Sequence, residues 1–269
     1  MKAFSTHLLF ELKSGLRDKT LLLMNYLFPL GFYLAIGAIM PKLNPQYSDI
    51  LIPSMMKFSI LVSTVLGMPN SFVTSRNSGI FRSYKINGVS KTSMLAIPTV
   101  STIIHTIIVT AIILISSPIL YKTELPANIS GLILVFIAST ITFTGFALLI
   151  GIVADNTSVT VIFAQALFLP SMLIGGLMFP SNLLPESVAV FGKLLPTTYA
   201  MDAYQSLAVG VDSSFNPVIS ILLLISSGII SIFLSWYLFR LDNNNTSKIK
   251  SKICALGALV PFVLAAIFL

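Results

Sequence analysis

Charged side chains are what this sequence has least of. They make up 9% of the residues, whereas hydrophobic residues make up 55% and the mean hydropathy is +0.94. A soluble domain carries about 25% charged residues, and a globule of this length could not cover its surface with so few. Lipid must be the solvent for most of the chain, which makes it an integral membrane protein. Cysteine is equally scarce. The single Cys254 excludes an internal disulfide and a cysteine-built metal site. The two histidines, His7 and His105, stand far apart and form no H-E-x-x-H pair. Without a G-x-x-x-x-G-K-[ST] stretch the chain has no phosphate cradle of its own for ATP. Without G-x-S-x-G it lacks the usual nucleophile turn of a hydrolase. Ion-driven carriers keep acids and bases at mid-membrane, but the notable polar groups at depth here are Gln165, His105 and scattered serines and threonines. If the protein moves something, its energy is expected to come from another polypeptide. No cofactor or metal is expected on the chain itself.

Seven apolar runs fill the sequence. Six are of spanning length, about 20 residues each, at 21–40, 52–73, 95–120, 129–153, 158–179 and 216–239. A shorter seventh run, Cys254 to Leu269, is expected to cross as an additional C-terminal span. The net charge of +7 would suggest nucleic acid in a soluble protein. No basic stripe with interleaved aromatics supports that here, so no nucleic-acid partner is expected. Loop cations instead orient the bundle. Twelve lie before the first span, between the second and third, and after the sixth; four (Lys42, Lys57, Lys122 and Lys193) fall on the other side. The N-terminus, the 74–94 loop and the 240–252 segment are therefore expected to be cytoplasmic. Phe4, Leu8, Leu12 and Leu16 recur every four residues before the first span, with charged residues on other faces. That pattern predicts an amphipathic helix in the membrane interface, as against a charged flank that only orients the first span. Ser139, Thr140, Thr142, Thr144, Gly145, Gly151, Gly175 and Gly176 are small residues suited to close helix packing. The expected organisation is a transmembrane domain over 1–240, a polar connector over 241–252 and a last span over 253–269.

Two segments break the apolar rhythm. Thr74–Ala96 reads TSRNSGIFRSYKINGVSKTSMLA and joins the second and third spans. Arg76, Arg82 and Lys85 surround Gly79 and Gly88, with Ile80, Phe81, Tyr84 and Ile86 as apolar partners. A short helix of this mix can press an apolar face into a partner's groove, although a basic orienting loop would look similar. Met178–Leu207 reads MFPSNLLPESVAVFGKLLPTTYAMDAYQSL and lies between the fifth and sixth spans. Pro185 suits the first turn of a helix, Leu184, Val188, Phe191 and Leu195 share one apolar face, and Pro196 is expected to stop that helix. Thr197 or Thr198 could cap a second helix through Tyr199, Asp202 and Leu207. Non-spanning backbone at membrane depth must be shielded by protein or water. This segment is therefore predicted to be a re-entrant helix pair that closes the outer end of a path, as against a loop on the headgroups. His105 could line a polar path or bond a neighbouring helix; Gln165 has the same two readings.

Taken in order, these segments resemble the type-2 ATP-binding-cassette exporter permeases, in their drug, antibiotic and peptide-immunity branch. Arg76, Gly79, Arg82 and Val89-Ser90 match the family's coupling helix, with Asn77 where an acid is common and Gly88 in place of a proline. Gly175-Gly176, Phe179-Pro180, Leu184-Pro185, Pro196, Tyr199 and Asp202 match the end of its fifth span and the stretch leading to its sixth. ELKSGLRDKTLLLMNYLFPLGF, with Arg17 and Pro29, is similar to its interfacial helix and first span. The likeness covers residues 1 to about 240. It implies an all-α polytopic bundle of six spans, in the bacterial cytoplasmic membrane, that exports a hydrophobic or amphiphilic substrate. It implies a separate ATPase in two copies, carrying ATP and magnesium, docked on Arg76, Gly79, Ile80, Phe81, Arg82, Tyr84 and Lys85. It also implies a second permease copy or close relative, and an outer gate containing Pro180, Pro185, Phe191, Pro196, Tyr199 and Asp202. The alternative from the residues alone is an ATP-independent secondary transporter or channel.

Overall fold

The computed structural model describes residues 2–179, 185–241 and 249–268. Among them every regular element is a helix. This is the expected solution where hydrocarbon offers backbone groups no other partner. The chain opens with α1 (Lys2–Arg17), α2 (Lys19–Leu43), α3 (Tyr47–Asn77) and the short α4 (Ile80–Ile86). It continues through α5 (Lys91–Tyr121), α6 (Ile129–Val153) and α7 (Thr157–Ile174). Two short helices come next, α8 (Glu186–Gly192) and α9 (Pro196–Tyr204), before α10 (Pro217–Leu238) and α11 (Ser251–Phe268). Seven of these, α2, α3, α5, α6, α7, α10 and α11, are long and apolar enough to cross a membrane.

The ends of the helices obey local chemistry. Asp18, Ser90, Asn128, Asn156 and Asn216 each accept a first-turn backbone N–H at the start of α2, α5, α6, α7 and α10. Helix α3 extends beyond its apolar run of 52–73 to Tyr47 and Asn77, with Asp49 in its first turn, where an acid favours a helix N-terminus. Helix α7 stops at Ile174, five residues before its apolar run ends at 179, because Gly176 turns left-handed at φ +83°.

Helix α3 is the centre of the bundle: 94% of its most apolar window is buried, against 22% for α2 and α7. Helices α6 and α10 approach most closely. A Cβ added at Gly145 would lie 2.7 Å from the carbonyl oxygen of Gly228, and Thr142 Oγ1 donates to Leu224 O at 2.7 Å. Ile108, Ile112, Ile115 and Ile119 leave the outer face of α5 apolar and exposed, as lipid contact requires. The C-terminal run forms a true seventh helix packed on the bundle. Ser227 Oγ of α10 donates to Ala258 O at 2.6 Å, and Phe262 and Ala258 are fully buried.

Helix α1 lies across α5. Gly15 is buried against His105, whose Nε2 would be 2.8 Å from an added Cβ. Phe4, Leu9, Phe10 and Leu16 remain exposed, so the apolar face is broader than the four-residue stripe and is shifted by Leu9 and Phe10.

Candidate functional site

At one end of the bundle, the α3–α5 connection is built on inward anchors. Gly79, at φ +76°, makes the turn that starts α4, a backbone conformation that costs glycine little. Arg76, three residues earlier, is 3% exposed and turns into the bundle. Its guanidinium donates to Ile152 O at 3.0 Å and to Ala154 O, at the carbonyl end of α6, with Gly151 O at 3.4 Å. A cation there meets the negative end of the helix dipole. Phe81 is also buried. Its ring lies 6.2 Å from Phe72 on α3 and 5.2 Å, edge to face, from Phe239 just past α10. Lys91 Nζ sits 4.3 Å from the Trp236 ring, a cation–π contact between the start of α5 and the end of α10. Arg76 and Phe81 thus hold α4 in place. The groups α4 presents to the outside are Ile80, Arg82, Ser83, Lys85 and Ile86.

Tyr84 is half-buried and packs edge to face on His7 of α1, ring centroids 5.0 Å apart. A cavity of about 40 Å³ lies beneath, lined by His7, Glu11, Phe72, Phe81, Tyr84 and Met94 among others. Burial there pushes the Glu11 carboxyl above its ordinary range, with His7 pulling it back. Asp155, just past α6, joins three elements at the same end. Its carboxylate receives Lys252 Nζ of α11 at 2.7 Å and Arg240 Nη2 at 3.7 Å.

At the opposite end, α8 and α9 form two short helices with a break between them. Pro180 lies outside the described residues, as does Leu184. Pro185 is the residue before α8, not within its first turn, and the helix ends at Gly192. Pro196 does not stop it: Pro196 opens α9, where its missing N–H is no loss. Neither threonine caps α9 in the expected way, because Leu195 occupies the cap. Thr198 Oγ1 instead donates to Gly192 O at 2.6 Å, across the break.

Tyr199 is the hub of this end. It is fully buried, and its hydroxyl donates to Lys193 O at 2.8 Å, tying α9 to the end of α8. Its ring lies 5.0 Å from Phe215 and 5.5 Å from Phe262 of α11. Asp202 accepts from the backbone N–H of Ser214 at 2.7 Å and of Phe215 at 3.2 Å, which fastens α9 to the approach to α10. Burial raises its carboxyl above the ordinary aspartate range, and those two N–H groups oppose the rise. Phe191 stays apart from this cluster and is 64% exposed, as is its neighbour Val190 at 58%.

Between the two ends, His105 Nδ1 is 2.6 Å from Tyr26 Oη, joining α5 to α2. Gln165 is half-buried on α7. The residue missed from sequence is Lys57. Counted among the cations of one face, it is instead 1% exposed inside α3, ten residues from the start of that helix. The signal was present in IPSMMKFSILV, one ionisable residue within a span-length run, and it makes the spans less free of ionisable groups than they looked.

The family model described as ABC-2 type transporter matches residues 2–209. No curated protein and no solved structure matches the chain. The matched region holds α1 through α9; α10 and α11 lie beyond it.

Proposed function

The chain belongs to the ABC-2 type transporter family, and from that premise we propose that it is the permease subunit of an ATP-driven exporter. It works with a separate ATPase in two copies, which binds ATP and magnesium, and with a second permease copy or close relative. The cargo is hydrophobic or amphiphilic and moves outward through the bacterial cytoplasmic membrane. The α4 end faces the cytoplasm together with the N-terminus, in keeping with the cations gathered there. The observation that carries this reading is the construction of α4. Its anchors Arg76 and Phe81 reach α6, α3 and the end of α10, while Arg82, Lys85 and Ile86 are left outward as a small basic and apolar surface. A docked ATPase that pushes on this surface moves the ends of three spans together. At the other end α8 and α9 close the path, with Phe191 facing lipid or the second permease.

The test is ATP hydrolysis by the permease reconstituted with its ATPase. Arg82→Ala with Lys85→Ala is expected to leave expression and thermal stability unchanged. Cargo-stimulated turnover should fall at least about tenfold, as loss of a desolvated charge contact would produce. Unchanged turnover in the double variant would remove α4 as the coupling element.

A further inference from the structure

Lys57 is an ionisable group with no counterpart. Among the described residues it forms no ion pair and no hydrogen bond, and the ion pairs present join Asp155 to Arg240 and Lys252. Seven of the nine acids have described side chains, and none of these forms an ion pair with it. Glu11, Asp18 and Asp155 belong to the α4 end; Glu124, Asp202 and Asp212 lie in the segments of the other end. Asp49 is on the same helix but is exposed and roughly 12 Å further along the axis, at 1.5 Å per residue. Met55, Met56 and Phe58 beside Lys57 are each buried to within 2%. A methionine or leucine would fill this place without desolvating an amine, a cost of several kcal/mol for an unpaired ion.

The surroundings are nevertheless those of a working site. Ser54, fully buried, lies one turn back on the same face and offers a hydroxyl. Five residues on, α3 widens into a π turn over Val62–Gly67, one of three among the described residues and a geometry frequent at functional positions. Lys57 stands about 15 Å from the start of α3, in the half of the helix nearer the α8–α9 end. With the α4 end cytoplasmic, this is the outer half of the membrane.

We infer that Lys57 is the anion-binding point of the transport path, and that the cargo is an amphiphile with a small anionic head, a carboxylate or phosphate, on an apolar tail. The inference rests on the transporter reading and narrows its substrate class. When the bundle is closed around α3 the amine is buried, without a partner among the described residues. When the helices around α3 part, a motion the permease makes by itself and the ATPase drives in one direction, the head of the cargo supplies the missing charge, with Ser54 Oγ as a further donor. The tail needs only the apolar walls that surround the site.

The experiment uses the full chain, purified alone in phosphatidylcholine nanodiscs, with radiolabelled dodecanoate, dodecyl phosphate, dodecanol and dodecyltrimethylammonium as probes. The wild type is expected to bind the two anions in preference to the alcohol and the cation. Lys57→Met should weaken binding of the anions at least about tenfold, the size of a charge-assisted contact, and leave dodecanol unchanged. Lys57→Arg should stay within about threefold of the wild type. Better binding of one anion than the other distinguishes a carboxylate from a phosphate cargo. Equal anion binding by the wild type and Lys57→Met would overturn the inference. So would a marked loss of thermal stability in Lys57→Met, because the lysine would then have a partner inside the protein. Binding needs no ATPase: anion binding through Lys57 without anion-stimulated ATP hydrolysis by the assembled complex would leave this site standing and sink the export reading.

Discussion

At the residue scale, two arginines six positions apart take opposite positions, and composition alone could not separate them. Arg76 and Arg82 sit in one basic segment, yet one is buried against carbonyls of α6 and the other is exposed. The difference comes from Gly79, whose left-handed turn reverses the chain between them. The consequence is that only one of the two should bear on stability. Arg76→Met removes a charged donor and leaves Gly151, Ile152 and Ala154 carbonyls without it, so unfolding in mild detergent should become easier by about 2 kcal/mol. Arg82→Met touches no buried partner and should stay within about 0.5 kcal/mol of the wild type. Thermal or urea unfolding monitored by circular dichroism measures both. Equal stability of the two variants would mean that the carbonyl cap of α6 does not depend on Arg76.

At the element scale, the apolar runs made the spans legible because lipid imposes both a length and a composition on them. The short elements were less legible, since their limits depend on contacts distant in sequence. Pro196 reads equally well as the stop of one helix or the start of the next; Tyr199, bonded back to Lys193 and packed on Phe215, favours the second. The same holds for α11, whose run is barely long enough to span but which is docked by Lys252 at one end and Phe262 further in. That docking gives α11 a specific task. Phe262 fills the space between Tyr199 of α9 and Phe146 of α6, so it braces the short helix pair from behind. Truncating it should leave a cavity that the bundle cannot fully close, at a cost of about 3–5 kcal/mol for Phe262→Ala, and less for Phe262→Leu. A cysteine at Ala200, which is fully buried, reports the local effect. Its reaction with maleimide should speed up in the Phe262→Ala background and remain slow in Phe262→Leu. No change in reactivity would show that α9 holds its position without α11.

At the scale of the whole molecule, cations and the number of crossings make one joint statement. Lys13, Arg17, Lys19, Arg82, Lys85, Lys91, Arg240 and Lys252 belong to the α4 end, whereas Lys42, Lys122 and Lys193 belong to the α9 end once Lys57 is placed inside α3. Moving Lys57 therefore strengthens the asymmetry that orients the bundle. Seven crossings, an odd number, then put residues near Ser5 and residues near Phe268 on opposite sides of the membrane. The start of α11 is held to the α4 end by Lys252 on Asp155, so its last residues must emerge beside α8 and α9. Single cysteines in a Cys254→Ser background make this measurable in intact cells, using a maleimide that does not cross membranes. Positions 126 and 268 should label from outside, and positions 5 and 87 only after the cells are opened. Position 268 shielded while 126 labels would mean that α11 folds back instead of crossing. Phe262 could then not reach Tyr199 from within the bilayer, and the brace on the outer helix pair would fall with it. Labelling at 87 in intact cells would invert the whole bundle and place α4 where no cytoplasmic ATPase could meet it.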